Sequence, residues 1–419
     1  MARRIGVGFV GSGFIAQFHA RSWKGVRDGD IVAVASRRPE SGREFADLCR
    51  SLDVGEPTVY TDVAKMVQQS DVEAVWITAP NYERISVVEA IVNEVKAGRS
   101  KVRAVAIEKP LARNVREARR LVELVEGAGL LHGYLENQVF APSVTRGKEI
   151  AWRRGAKIAG PPYLARAAEE HGGPHRPWFW RGPLQGGGVL SDMMCHSVEA
   201  GRYLLTAPDQ KDYLRPVAVL ATIANLKWAR PHYAEILRRE TGGEVDYSRA
   251  PAEDYASAEI VYETAHGDLI IGQASTSWSY SGAGLRLTFE LLGPEYSLAI
   301  NTLDPESKIF FSRNVVGEAG EDLVEKQAAE QGQMPFLGDE AHVYGYTAEN
   351  QHMTAAFSRG EMPRETLFDG LLVTQLLMAA YRSAELGTAV KFPPEGLDEF
   401  VPLVQQDRWT PRQLLDRAR

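Results

Sequence analysis

The chain has 419 residues, of which 44% are hydrophobic and 25% charged, and carries a net charge of −7 at pH 7. That length exceeds what one core usually supports, so two domains are expected, and the composition excludes a disordered or membrane-embedded chain. The negative balance, with no run of Lys and Arg, argues against nucleic acid as a partner, and the composition leaves no case for a membrane.

Met1-Ala2-Arg3-Arg4 carries paired arginines, as a twin-arginine export signal does. The residues that follow form a glycine-rich strand rather than an apolar core with a cleavage site, so the start reads as that of a cytoplasmic protein. Ile5 to Val10 is a short apolar strand, Gly11-Ser12-Gly13 a turn, and Phe14-Ile15-Ala16 the start of a helix. This order builds a dinucleotide cradle: Gly11 permits the tight turn, Gly13 lets backbone approach phosphate, and Ala16 lets the helix pack on the strand. The unpaired N–H groups and positive dipole end of the helix then face the diphosphate, so Gly11, Gly13, Phe14 and Ile15 are candidate cofactor-binding residues.

After a helix to about Lys24 comes the strand Ile31 to Ala35, followed by Ser36-Arg37-Arg38 where NAD-binding folds usually place an acid on the ribose hydroxyls. Guanidinium groups suit a ribose phosphate, which favours NADP over NAD; a solvated loop beside NAD is the alternative. Helices at 39–50, 62–69, 84–96 and 115–127 alternate with strands at 58–60, 74–78, 103–107 and 130–134, the pattern of a doubly wound parallel sheet. Thr78-Ala79-Pro80-Asn81 closes one strand at its carboxyl edge, where such sheets bind ligands, and Glu108-Lys109-Pro110 closes another. Thr78, Pro80, Asn81, Glu108 and Lys109 join Ser36, Arg37 and Arg38 as candidate cofactor contacts. An ammonium at Lys109 could also stabilise alkoxide character on a reacting hydroxyl.

These segments, together with a later Gly186-Gly187-Gly188 followed by Asp192 and His196, resemble the Gfo/Idh/MocA family of oxidoreductases, which act on sugars, inositols and related polyols with NAD or NADP. The resemblance spans both expected domains. It implies that Lys109 is the motif lysine, that its bond to Pro110 is cis, and that the second domain is α+β with a large, mostly antiparallel open sheet. It also implies that helices at about 348–390 pack back on the Rossmann domain, and that subunits pair through the open sheet face as a homodimer or homotetramer. The expected domains are 1–140 for dinucleotide binding and 141–419 for substrate binding and oligomerisation. Where relatives often carry an arginine-containing segment, this chain has Leu135-Glu136-Asn137-Gln138. Glu136 and Asn137 either line the substrate pocket or lie in an exposed turn.

A helix at about 141–154 and a strand at 163–168 open the second domain, and Glu169, Glu170, His171 and His175 follow amid glycine and proline. Their spacing fits no zinc pattern, and Cys49 and Cys195 stand far apart, so no metal site and no disulfide framework is expected. His171 is a candidate substrate contact. So is Trp180, since sugar rings stack on aromatic planes, although Trp178-Phe179-Trp180 suits core packing equally well. Asp192 and His196 fall one turn apart on a helix whose neighbours are mostly Val, Leu, Met and Cys, Cys195 reading as a small buried thiol. Buried ionisable groups need partners or a purpose, and imidazole suits a group that takes a hydroxyl proton as hydride leaves the same carbon. From Val217 onward the pattern turns to strands, interrupted by an insertion at 228–252 with a helix at 234–239.

The sequence thus gives an NAD(P)-dependent oxidoreductase acting on a ring carbon of a sugar, glycoside or cyclic polyol. His196 is the proton carrier, Lys109 the partner of the reacting oxygen, and Asp192 holds a neighbouring hydroxyl or orients His196. A glycosidase that retains NAD and works by transient oxidation and elimination is the alternative, and a catalytically silent nucleotide sensor a third reading.

Overall fold

The computed structural model describes residues 4–304, 308–311, 323–327 and 332–411; Met1, Ala2 and Arg3, on which the export-signal comparison partly rests, lie outside them. Two compact units emerge, one of Met1–Pro142 with Ala341–Thr374, the other of Ser143–Glu340 with Gln375–Arg419.

The first unit is built on six parallel strands, β1 (Ile5–Val10), β2 (Gly29–Ala35), β3 (Thr58–Tyr60), β4 (Ala74–Ile77), β5 (Ala104–Glu108) and β6 (Leu131–Leu135), in the order β3-β2-β1-β4-β5-β6. Strands β1, β4 and β5 are buried along their whole length, as expected where helices cover both faces of a parallel sheet. Val75, Ile77, Val105 and Ile107 on one face meet Val88, Ile91, Leu121 and Val125 from the helices Arg84–Lys96 and Val115–Glu126. The order reverses between β1 and β4, so their carboxyl ends form the crevice where such sheets take ligands. The helix Tyr346–Arg359 belongs to this unit: Phe357 meets Trp76 edge-on at 5.8 Å, and the Trp76 indole donates to Asn350 Oδ1 at 2.9 Å.

The second unit has a seven-stranded sheet of β7 (Leu164–Glu170), β8 (Leu214–Ala224), β9 (Tyr255–Thr264), β10 (Leu269–Ser277), β11 (Arg286–Gly293), β12 (Tyr296–Asn301) and, beyond the separate pair β13 (Lys308–Phe311) and β14 (Gly332–Pro335), β15 (Val390–Lys391). Its order is β12-β11-β7-β10-β9-β8-β15, antiparallel throughout except for the parallel pair β7–β10. β9 alternates buried and half-buried residues over its full length, the signature of a sheet with one covered face. The helix Val189–Leu205 covers that face by packing on β7 and β10.

Two local expectations shift. β7 runs on through Glu169 and Glu170, because both remain paired to β10 and β11, although the glycines and prolines after them suggest a loop. The insertion helix is Pro231–Glu240, starting earlier than 234 because Pro231 supplies a preset first turn. The helix Leu367–Leu386 contains the division between the two units. Among the described residues, no helix is long and apolar enough to cross a membrane.

Candidate functional site

In the first unit the glycine turn is shaped by its surroundings. Gly11 has φ 108°, and a Cβ there would lie 2.8 Å from Thr78 Oγ1 and 3.1 Å from the Ala79 nitrogen. The turn is pinned by Gly11 N–H donating to the Ala35 carbonyl at 2.9 Å and by Thr78 Oγ1 donating to the Val10 carbonyl at 3.0 Å. Gly13 begins the helix Phe14–Ser22 without a side-chain cap, and a Cβ there would meet nothing within 4 Å. A helix start with uncapped N–H groups beside open space fits a diphosphate. Phe14 is largely exposed and Ile15 half-buried at that start.

Beside the turn, Ser36 is buried, lies 2.8 Å from Ser12 Oγ, and donates to the Arg38 carbonyl at 3.0 Å. Arg37 is paired with Glu83 at 2.9 Å, whereas Arg38 is exposed and makes no ion pair among the described residues. Pro80 leads into a short turn, Asn81–Glu83, in which Asn81 is buried. The Ser36 to Arg38 segment and the Thr78 to Asn81 segment therefore flank the same glycine turn.

The Lys109–Pro110 bond is cis, and the surrounding backbone is held by Arg84. That buried guanidinium donates to the carbonyls of Ala79 (3.1 Å), Lys109 (3.3 Å) and Leu111 (3.3 Å), and to those of Glu108 and Pro110. Glu108 lies behind Lys109: its Oε2 accepts the Lys109 N–H at 2.9 Å, and its Oε1 meets His19 Nε2 at 2.8 Å. Burial opposes ionisation of Glu108, but the hydrogen bond and charge of His19, with the charges of Lys109 and Arg84, hold its carboxyl below the usual range. Two further acids in this unit are pushed the other way. Burial lifts Glu136 to about 8, with Lys109 opposing and Glu108 adding to the rise. Burial also lifts Glu349 well above the carboxylate range, reinforced by Glu108, Glu136 and Glu365. Asn137 is buried and spends its amide N–H on the Tyr344 carbonyl at 2.7 Å. Of these groups, sequence reasoning missed His19, Arg84, Glu349 and Asn350; an arginine opening an otherwise ordinary helix carried no signal of its inward course.

In the second unit the helix Val189–Leu205 carries Asp192 and His196, both buried. Its start has no cap from its own N-cap residue, Gly188. Glu253 Oε1 instead accepts the N–H groups of Gly188 (2.9 Å) and Leu190 (3.1 Å), and the Glu253 carbonyl accepts that of Val189 at 3.0 Å. The Tyr381 hydroxyl accepts from Gly188 and Ser191, both at 3.2 Å, and donates to Glu253 Oε1 at 2.6 Å. These approaches explain the glycines: a Cβ at Gly187 would lie 1.8 Å from the Tyr381 oxygen, and one at Gly188 2.3 Å from the Glu253 carbonyl. Burial pushes Glu253 up to about 7, against the hydrogen bonds it accepts.

Gln185 Nε2 lies 3.5 Å from Asp192 Oδ1, and His196 Nε2 lies 3.9 Å from Glu169 Oε2. His171 Nδ1 accepts the Gly173 N–H at 2.9 Å, which leaves the ring proton on Nε2. Trp180 is buried, with its ring 5.0 Å from those of Trp228 and Trp278 and 5.7 Å from that of Tyr247, and its indole donating to the Pro174 carbonyl. Trp178 and Phe179 stack on each other at 3.8 Å. The second unit thus brings Asp192, His196, Gln185 and Glu169 together, while Trp180 is spent on an aromatic cluster shared with the insertion.

The two halves of the chain match two family models: an oxidoreductase family with an NAD-binding Rossmann fold over residues 5–134, and a GFO/IDH/MocA C-terminal domain over residues 156–299. A levoglucosan dehydrogenase from Pseudarthrobacter phenanthrenivorans is 24% identical over 313 residues, covering 71% of this chain and 74% of that one. An inositol 2-dehydrogenase from Rhizobium meliloti is 24% identical over 388 residues, covering 90% and 96%. Among solved structures, GenD2 of gentamicin A biosynthesis, in complex with NAD, superposes with a TM-score of 0.72 at 26% identity, covering 94% of this chain and 97% of that one.

Proposed function

The chain belongs to the Gfo/Idh/MocA oxidoreductase family, and from that premise we propose that it is an NAD(P)-dependent dehydrogenase acting on a ring carbon of a sugar, glycoside or cyclic polyol. The observation that carries this reading is the Asp192 and His196 pair, two ionisable groups buried on one helix whose start is fixed by Glu253 and Tyr381. Proton transfer coupled to hydride loss requires a buried ionisable group of this kind at a fixed place.

The Gly11 to Ile15 turn and helix start would hold the diphosphate, Ser36, Arg37 and Arg38 the ribose, and Thr78, Pro80 and Asn81 the nicotinamide end, with Glu108 supporting Lys109 from behind. When bound it supplies a hydride acceptor or donor. His196 exchanges the proton of the reacting hydroxyl, and Lys109 hydrogen-bonds its oxygen and stabilises the negative charge that develops there. Asp192 holds the neighbouring hydroxyl, with Glu136, Asn137 and His171 completing the substrate contacts. Trp180 shapes that region through its aromatic cluster rather than by stacking. Ser36, Arg37 and Arg38, with no acid among them, favour NADP. The working protein in this reading is a cytoplasmic homodimer or homotetramer, a state that light scattering of the purified chain reads directly.

Mixing the protein with each nicotinamide cofactor and a panel of monosaccharides, glycosides and inositols tests the proposal by absorbance of the reduced cofactor. Net reduction is expected, and His196→Ala is expected to lower turnover by about a hundredfold or more with cofactor affinity kept. Release of an aglycone without net reduction would replace this reading with the NAD-retaining glycosidase. Binding of cofactor with no turnover of any substrate would leave a nucleotide sensor.

A further inference from the structure

The covered face of the second unit's sheet is largely apolar. Along β7 the residues turned toward the helix Val189–Leu205 are Ala165, Ala167 and Glu169. The first two let the helix approach closely: a Cβ on Gly201 would stand 3.9 Å and 4.0 Å from their methyl groups. The third position in such a stripe calls for another small apolar residue. It holds instead a carboxylate, buried, in register with Thr276 of β10 and Leu287 of β11, and directed at His196. Glu170, next in the chain, takes the other face and pairs with Arg286. Of the acids that end this strand, Glu169 is the one directed at the imidazole.

We propose that Glu169 is a positioning residue for the reaction described above, a carboxylate that stabilises the imidazolium formed at His196. The inference rests on the dehydrogenase reading. In the oxidative direction, the substrate C–H hydrogen leaves with its electron pair to the oxidised nicotinamide, and the hydroxyl proton passes to the His196 ring. The products are a carbonyl compound, the reduced cofactor and an imidazolium. Glu169 makes and breaks no bond. At 3.9 Å its oxygen is too far from Nε2 for a hydrogen bond, so it acts by charge, which in a buried site is little screened. His171, two residues on, accepts the Gly173 N–H at Nδ1. Asp192 lies one turn before His196 on the same helix, beside Gln185.

The decisive experiment compares Glu169→Gln, Glu169→Asp and His196→Ala with the double variant Glu169→Gln/His196→Ala. Glu169→Gln keeps shape and removes charge; kcat is expected to fall roughly tenfold to a hundredfold with KM little changed. Glu169→Asp, which restores the charge, recovers much of the loss, a recovery that a packing role does not produce. In the double variant the Gln substitution adds nothing to the loss from His196→Ala. Wild-type kcat in Glu169→Gln, or full additivity in the double variant, overturns the proposal. If the wild-type protein turns over no substrate, the dehydrogenase reading fails separately, and ring-nitrogen NMR of His196 decides the pairing at one neutral pH. A smaller imidazolium fraction in Glu169→Gln than in wild type supports it, and equal fractions overturn it.

Discussion

The two units fix their chemical groups by opposite means. Lys109 sits on a loop, and its place depends on carbonyls gripped one by one by the Arg84 guanidinium and on Glu108 behind it. Asp192 and His196 sit inside a helix, whose hydrogen-bond ladder fixes every residue once the first turn is placed, so Glu253 and Tyr381 act only on that turn. A loop residue needs many local contacts, whereas a helical one inherits its position. The comparison breaks if damage at the helix start leaves His196 in place, or if Lys109 keeps its place without Arg84.

The largest effect is expected from Gly187→Ala. Its Cβ would overlap the Tyr381 oxygen, and because Tyr381 is fully buried neither side can yield cheaply. Thermal or urea unfolding should show a loss of about 3 kcal/mol, with activity abolished. Arg84→Met comes next. It fills similar volume but strands several buried carbonyls, so a loss of about 2 to 3 kcal/mol is expected in unfolding, with kcat falling while the glycine turn still binds nucleotide. Retained activity in either variant would remove the corresponding half of the comparison.

Which parts of this architecture were readable beforehand follows from which forces act locally. The six parallel strands and the glycine turn were legible because apolar runs, turn glycines and helix starts are encoded within a few residues. The Asp192 and His196 helix was legible for the same reason. Glu253 and Tyr381 were not: they lie 65 and 193 residues from Gly188, and nothing in Ala252-Glu253-Asp254 marks the carboxylate as a helix cap. Glu169 was hidden as well: the glycines and prolines that follow it point to a loop, whereas the β7 ladder carries it inward. Glu349 and Asn350 reach the first unit's interior from a helix more than two hundred residues beyond β6, a proximity only the fold creates.

A pH dependence sharpens the contrast between the units. The folded first unit raises Glu136 from 4.5 to about 8, so between those values the native state binds more protons than the unfolded chain. Stability from this group is therefore complete below about 4.5 and declines as pH rises toward about 8. Glu253 adds a similar decline in the second unit, ending near 7. Denaturant unfolding across this range should show the fall. Glu136→Gln should flatten its upper part, between 7 and 8, more than Glu253→Gln does. An unchanged slope in Glu136→Gln would mean that its carboxyl is already ionised at neutral pH in the native protein.

The smallest effect concerns the cofactor. Ser36 follows β2 and shares its hydroxyl with Ser12, so in the proposed site no carboxylate at that position would repel a ribose phosphate. Of the two arginines that follow, Arg37 is committed to Glu83, and a phosphate would have to compete with that ion pair. Arg38 is exposed and carries no such commitment among the described residues, so it is the guanidinium available to a phosphate. Arg38→Ala is thus expected to weaken NADP by roughly tenfold while leaving NAD unchanged, as read by fluorescence titration with each cofactor. Arg37→Ala should cost NADP less, because the Arg37 guanidinium is already engaged by Glu83 and contributes little to a phosphate. An equal loss for both cofactors in Arg38→Ala would place that side chain on the adenine, where guanidinium stacking does not distinguish the two, and would remove the physical basis for preferring NADP.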